Sequence, residues 1–156
     1  MKHAGKLITS ILGCELVGIL GSIFTVQAIP TWYATLNKPS FSPPNWLFGP
    51  VWTLLYFLMG ISFFLIWRMD SKRQQVSTAK KIFLAQLGIN FIWTPIFFGL
   101  RSPLLGLITI ILMLLFILIT LKKFYPLSKP AFYLLIPYLA WVSFATLLNA
   151  AIVSMN

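Results

Sequence analysis

Five apolar stretches, residues 7–27, 46–67, 79–98, 104–121 and 131–153, occupy most of this 156-residue chain. Each runs to about 20 residues, which at a rise of ~1.5 Å per residue crosses the ~30 Å hydrocarbon core of a bilayer. Hydrocarbon offers no water to pair with backbone N–H and C=O groups, so a continuous apolar run satisfies them within itself, as a helix. The expected fold is all-α: a single integral membrane domain over residues 1–156, built as a bundle of five transmembrane helices.

The charges settle how such a bundle would sit. Lys2 and Lys6 precede the first stretch, and Arg68, Lys72, Arg73, Lys80 and Lys81 fall in the second loop. Lys122, Lys123 and Lys129 separate the fourth stretch from the fifth, while the opposite side carries only Lys38 and Arg101. Basic loops stay in the cytoplasm. The N-terminus is therefore expected inside and the C-terminus outside, and an odd number of crossings agrees. Val26-Gln27-Ala28 imitates a signal-peptide cleavage site. The run before it is long for a signal peptide and contains Glu15, and cleavage would leave four crossings, so the first stretch is read as a span.

Composition removes several classes of function. Hydrophobic residues make up 59% and charged residues 9%, against the roughly 25% charged of a soluble domain. The net charge of +10 lies in short loops, where attraction to anionic headgroups of ~1 kcal/mol per basic residue accounts for it. Nucleic acid is not an expected partner. Cys14 is the sole cysteine and His3 the sole histidine, and Glu15 and Asp70 are the only acids. Neither a metal site of the usual ligand count nor a Ser-His-Asp, Cys-His or paired-carboxylate centre can be assembled from these. A phosphate-binding glycine loop is also missing. No conventional catalytic residue and no required cofactor are expected.

Polar and aromatic residues fall into register on three of the spans. Trp52 and Tyr56 lie four apart, with Met59 and Gly60 a turn on. Gln86, Asn90, Trp93 and Phe97 form a single stripe, and Pro137, Trp141, Ala145 and Asn149 recur every four residues. Amides are costly in hydrocarbon unless paired, so Gln86, Asn90 and Asn149 should face inward. Pro95 and Pro137 each remove a helical hydrogen bond and can free the carbonyls of Phe91 and Tyr133, kinking the helices apart. Two readings follow: interhelical packing alone, or a cavity for a flat, largely apolar molecule.

Elsewhere the chain leaves similar pairs of alternatives. The first loop holds Pro30, Pro39, Pro43 and Pro44 among Trp32, Tyr33 and Phe41. It is either an aromatic belt at headgroup depth or an ordered lid, and its proline density favours the lid. Cys14, Gly18 and Ser22, with Gly21 and Thr25 nearby, allow close helix approach within the bundle or between two copies. Glu15 is an intramembrane acid and a functional candidate on that ground, or simply faces the bundle interior. The fourth span, nearly all Leu and Ile around Thr109, should face lipid or a second copy.

Longer words are recognisable. Trp32-Tyr33-Ala34-Thr35-Leu36-Asn37-Lys38-Pro39-Ser40-Phe41-Ser42-Pro43-Pro44-Asn45-Trp46, running on into Phe48-Gly49-Pro50-Val51-Trp52 and Tyr56, closely resembles the TspO/MBR family. Its members are known as tryptophan-rich sensory proteins, translocator proteins or peripheral benzodiazepine receptors. Asn90-Phe91-Ile92-Trp93-Thr94-Pro95 and the segment from Pro137 and Tyr138 through Trp141 to Asn149 fit the same family, in order along the whole chain.

The resemblance implies a five-helix bundle, commonly a homodimer, that binds porphyrins and aromatic drug-like ligands in a pocket under the first loop. By motif position, ligand contacts fall on Trp52, Asn90, Trp93, Trp141, Ala145 and Leu148. Tyr33, Pro43, Pro44 and Trp46 would close the top, and Tyr56, Gln86, Tyr138 and Phe144 are taken as further ligand-binding positions. Lys38 or Arg101 would meet the porphyrin's acid groups. A porphyrin would be ligand or, in a light-dependent degradation with Trp52 and Trp141 as redox partners, substrate; transport is the remaining alternative. Animal members also bind cholesterol through an aromatic and a basic residue near the end of the fifth helix. Residues 148–156 contain neither, so that kind of sterol recognition is not expected. The short tails and the charge bias suit a bacterial plasma membrane.

Overall fold

The computed structural model describes residues 2–69 and 73–156; Asp70, Lys72 and the side chain of Lys2 lie outside the described residues. The chain forms α1 (Lys2–Ala28), a short α2 (Trp32–Thr35) and a 3₁₀ turn (Asn45–Leu47) that leads into α3 (Phe48–Trp67). Then come α4 (Gln74–Thr94) with a π-helical turn (Pro95–Gly99), α5 (Pro103–Phe124), α6 (Lys129–Leu134) and α7 (Ile136–Met155). Among the described residues five helical segments are long and apolar enough to cross a membrane, the fifth being α6 and α7 together. The protein is a multi-pass, all-helical membrane protein.

Several boundaries differ from the apolar stretches, for physical reasons. Intrahelical hydrogen bonds persist into the headgroup zone, so α1 begins at Lys2 and α4 at Gln74. Lys80 and Lys81 therefore sit on α4 and not in the second loop. Ser102 and Ser128 cap α5 and α6, each accepting a backbone N–H at 3.3 Å, with a proline in the first turn. Pro95 does not simply kink α4. The next turn widens, and the Leu100 N–H donates to the Pro95 carbonyl at 2.8 Å. At the other proline the helix ends instead: Leu135 separates α6 from α7, and Pro137 takes an early position in α7 where its missing N–H costs nothing.

Close backbone approach joins α1 to α3. A Cβ placed on Gly60 would lie 2.6 Å from the Cα of Ile11, and one on Gly18 would lie 2.5 Å from the Tyr56 ring. Small residues at these points let the helices meet almost surface to surface. On the small-residue face of α1, Cys14 is buried and Gly18 meets Tyr56 inside the bundle, while Ser22 is exposed. The fourth span is two-sided. Gly106, Ile110, Met113 and Ile117 of α5 are buried, while Leu104, Ile108, Ile111 and Leu115 are exposed. Only the second set fits the expectation of an outward-facing helix.

The first loop folds over one end of the bundle. Tyr33 is only 3% exposed, and its ring packs against Phe97 and Phe98 at 6.3 and 5.8 Å. Lys38 Nζ donates to the carbonyls of Tyr33 and Leu36 at 2.8 and 3.2 Å, and stands 4.9 Å from the Tyr33 ring centre. Burial pushes the Tyr33 phenol above its ordinary pKa, against a smaller opposing effect of its hydrogen bond with Ser42. The loop is also tied to the end of α7. The Asn37 backbone N–H donates to Asn156 Oδ1 at 3.0 Å, and Asn156 Nδ2 donates to the Asn37 carbonyl at 2.9 Å. Asn156→Ala should loosen this tie and raise amide hydrogen exchange at Asn37 roughly tenfold, two exposed bonds being lost. Unchanged exchange there would show that the aromatic contacts alone hold the loop.

Candidate ligand cavity

Beneath the loop lies a cavity of about 390 Å³ bordered by α1, α3, α4 with its π turn, and α7. That volume is within the range of small-molecule sites. Trp52, Trp93 and Trp141 come from three different helices and all line it, with Tyr33, Phe48 and Phe97. Trp93 stacks on Phe97 at 5.2 Å, Trp52 leans on Tyr56 at 5.5 Å, and Phe48 meets Trp141 at 6.1 Å. The indole N–H groups of Trp93 and Trp141 and Asn149 Oδ1 are buried without a partner among the described residues. Ile19 and Val26 of α1 are 62% and 69% exposed. They border the cavity together with exposed Gly49 and Thr53 of α3. The chamber is therefore open on the α1–α3 side.

A hydrogen-bonded chain forms its base. Tyr56 donates to Asn90 Oδ1 at 2.5 Å, Asn90 Nδ2 donates to the Tyr138 hydroxyl at 3.0 Å, and Tyr138 donates to Gln86 Oε1 at 2.9 Å. Each member is buried, so α3, α4 and α7 are tied at one level. Asn149 Nδ2 donates to the Pro103 carbonyl at 3.0 Å, bringing in α5. Expected to face inward, the amides do so, although Gln86 Nε2 has no partner among the described residues.

The expected site residues divide into two groups. Tyr33, Trp52, Tyr56, Asn90, Trp93, Trp141, Ala145 and Leu148 line the cavity. Gln86 and Tyr138 do not; they lie one layer below, as supports for Asn90 and Trp52, whose ring is 6.3 Å from that of Tyr138. Phe144 stands behind Trp141 at 5.6 Å and touches Phe41 of the loop at 6.3 Å. Pro43 and Pro44 belong to the segment entering the 3₁₀ turn, and Trp46 is 71% exposed, away from the wall. What the sequence reading missed is α1. Gly18, Gly21, Ser22 and Thr25, noted for close packing, form one side of the cavity, and Glu15 borders it too. Among the described residues no three His, Cys, Asp or Glu side chains come together.

Fold and cavity together define a polytopic helical membrane protein with an aromatic chamber between its spans. The chain belongs to the TspO/MBR family, whose model matches residues 10–155. It is 48% identical over 151 residues to the tryptophan-rich protein TspO of Archaeoglobus fulgidus, covering 97% of each chain. Against the human translocator protein it is 38% identical over 139 residues, 88% of this chain and 80% of the other. The tryptophan-rich sensory protein of Cereibacter sphaeroides is 37% identical over 125 residues, 80% of this chain and 77% of that one.

Proposed function

We propose that this protein is a membrane receptor or sensor that binds porphyrins of the protoporphyrin IX type, and other flat aromatic ligands, in the cavity between its spans. The observation that carries the reading is the convergence of Trp52, Trp93 and Trp141 from three helices on one chamber. Ring stacking contributes ~0.5–1.5 kcal/mol per aromatic pair beyond burial of area. A ligand bearing acceptors would also relieve the unpaired indole N–H groups, each costing about 1–3 kcal/mol. The opening between α1 and α3 leaves room for a macrocycle wider than the enclosed space. His3 is at the far end of α1 from the cavity-lining residues. A metal-free porphyrin, needing no axial ligand, suits the chamber better than haem. With Lys38 engaged by the loop's own carbonyls, exposed Arg101 is the freer cation for its acid groups.

Titration of the detergent-solubilised protein with protoporphyrin IX, followed by the porphyrin's own absorbance, tests this. Trp52→Phe/Trp141→Phe should weaken binding roughly tenfold; an unchanged dissociation constant would overturn the reading. The same two indoles favour a second reading, light-driven porphyrin oxidation with the bound porphyrin as the excited species. One defined product under illumination, lost in the double variant, would support it, and scattered bleaching products would end it. Transport is the remaining alternative, and porphyrin flux into proteoliposomes would detect it. The charge bias supports a plasma-membrane protein with a cytoplasmic N-terminus, which protease protection of a terminal tag would check. A homodimer is part of the same proposal, to be tested by crosslinking in membranes.

A further inference from the structure

Helices α1 and α4 meet near the loop end of the bundle and part toward the basic end. A Cβ on Gly21 would touch Thr94 at 3.3 Å, and one on Gly99 would meet Phe24 at 3.1 Å. At the other end a groove of about 610 Å³ opens between the two helices, facing outward. Its floor is aromatic: Phe63 and Phe83 stack at 4.7 Å with their planes 19° apart. Gly13 supplies the width, since nothing lies within 4 Å of a Cβ built there. On the α4 wall, Leu87 and half-exposed Leu84 continue the apolar path up to Lys80 and Lys81.

The ends of this groove have different chemistry. From Lys81 to Leu87 is six residues, ~9 Å along the helix, about half the length of a membrane acyl chain. At the wide end, Lys80 and Lys81 line the groove beside Trp67, and Lys6 stands over the Trp67 ring at 5.7 Å. Arg68 and Arg73 flank the same end. Tryptophan with lysine at the head of an apolar slot is the arrangement found at headgroup depth, and the cations choose the sign of the headgroup.

We propose that this groove is a binding site for one anionic phospholipid of the cytoplasmic leaflet. One acyl chain lies over Phe63 and Phe83 and wedges α1 from α4, and the phosphate is held by Lys80 and Lys81. The site is separate from the aromatic cavity, whose lining shares no residue with it, and it does not depend on what that cavity binds.

Native mass spectrometry of the full chain, released from micelles doped with equal phosphatidylglycerol and phosphatidylcholine of the same acyl length, tests it. The expected result is one retained lipid per chain, with phosphatidylglycerol favoured roughly tenfold. Lys80→Gln/Lys81→Gln should erase the preference, and Gly13→Leu, which fills the slot and keeps both lysines, should lower retention of both lipids. Glycerol phosphate without acyl chains should not compete. Equal retention of the two lipids by the wild type, a preference that survives loss of both lysines, or competition by glycerol phosphate would each overturn the proposal. So would a Gly13→Leu protein that retains lipid normally but changes its monomer–dimer distribution, since the groove would then be a protein contact. Helical circular dichroism and unfolding midpoints of the same variants confirm that they are folded.

Discussion

Gly60→Ala should destabilise the bundle by about 2–3 kcal/mol, and a bulkier Val by more. The added Cβ would lie 2.6 Å from the Cα and 3.0 Å from the backbone nitrogen of Ile11. Backbone atoms cannot rotate aside, so α1 itself must move. That movement would strip the contacts of Met59 and Cys14, both essentially buried, and open the α1 side of the cavity and the groove together. Gly88→Ala is the comparison: it sits on an exposed helical face with nothing within 4 Å. There the better helix propensity of alanine should leave stability equal or raised by up to about 1 kcal/mol. Unfolding midpoints in mixed micelles, read by helical circular dichroism, separate the two. Equal midpoints for both variants would mean that the α1–α3 seam is softer than its geometry.

This seam also marks how far the sequence carries. A span of Leu, Ile and Val around Gly18 and Ser22 announces that something packs closely there. It does not say which neighbour, because small residues allow close approach within a bundle and between two copies alike. Hence its place on the cavity wall was not legible. The stripes on α3, α4 and α7 were, because amides and indoles have few acceptable positions in hydrocarbon, and Trp52, Trp93 and Trp141 did converge.

Register along a stripe resolves direction but not depth. Gln86 and Tyr138 share the inward face with Asn90 and Trp141, and only the packed bundle puts them one layer below the cavity. Pro137 likewise reports a lost N–H without saying whether the helix bends or stops, and only the folded chain shows the stop at Leu135, whose N–H turns back to the Phe132 carbonyl at 3.1 Å. Trp46 is the opposite case. An aromatic in a proline-rich loop serves a lid or a membrane interface equally well, and its exposure assigns it to the surface.

The second large effect belongs to Asn90. Asn90→Leu removes both the acceptor used by Tyr56 and the donor used for Tyr138. Interhelical hydrogen bonds in bilayers average only ~0.6 kcal/mol each, because the unfolded helices find other partners. Two such bonds alone would cost little more than 1 kcal/mol. The larger cost is the stranded Tyr56 hydroxyl, which is buried and adds about 1–3 kcal/mol, so a total near 2–3 kcal/mol is expected. Tyr138 is protected, since it still donates to Gln86. Tyr56→Phe alone should cost about 1 kcal/mol by leaving Asn90 Oδ1 without its donor. In the Asn90→Leu background the same change should cost nothing or restore stability, because the stranded hydroxyl is then gone. The double-mutant cycle should therefore show coupling of at least about 1 kcal/mol. Strict additivity would mean that water reaches Tyr56 through the cavity, and the base of the chamber would then be wet and not sealed.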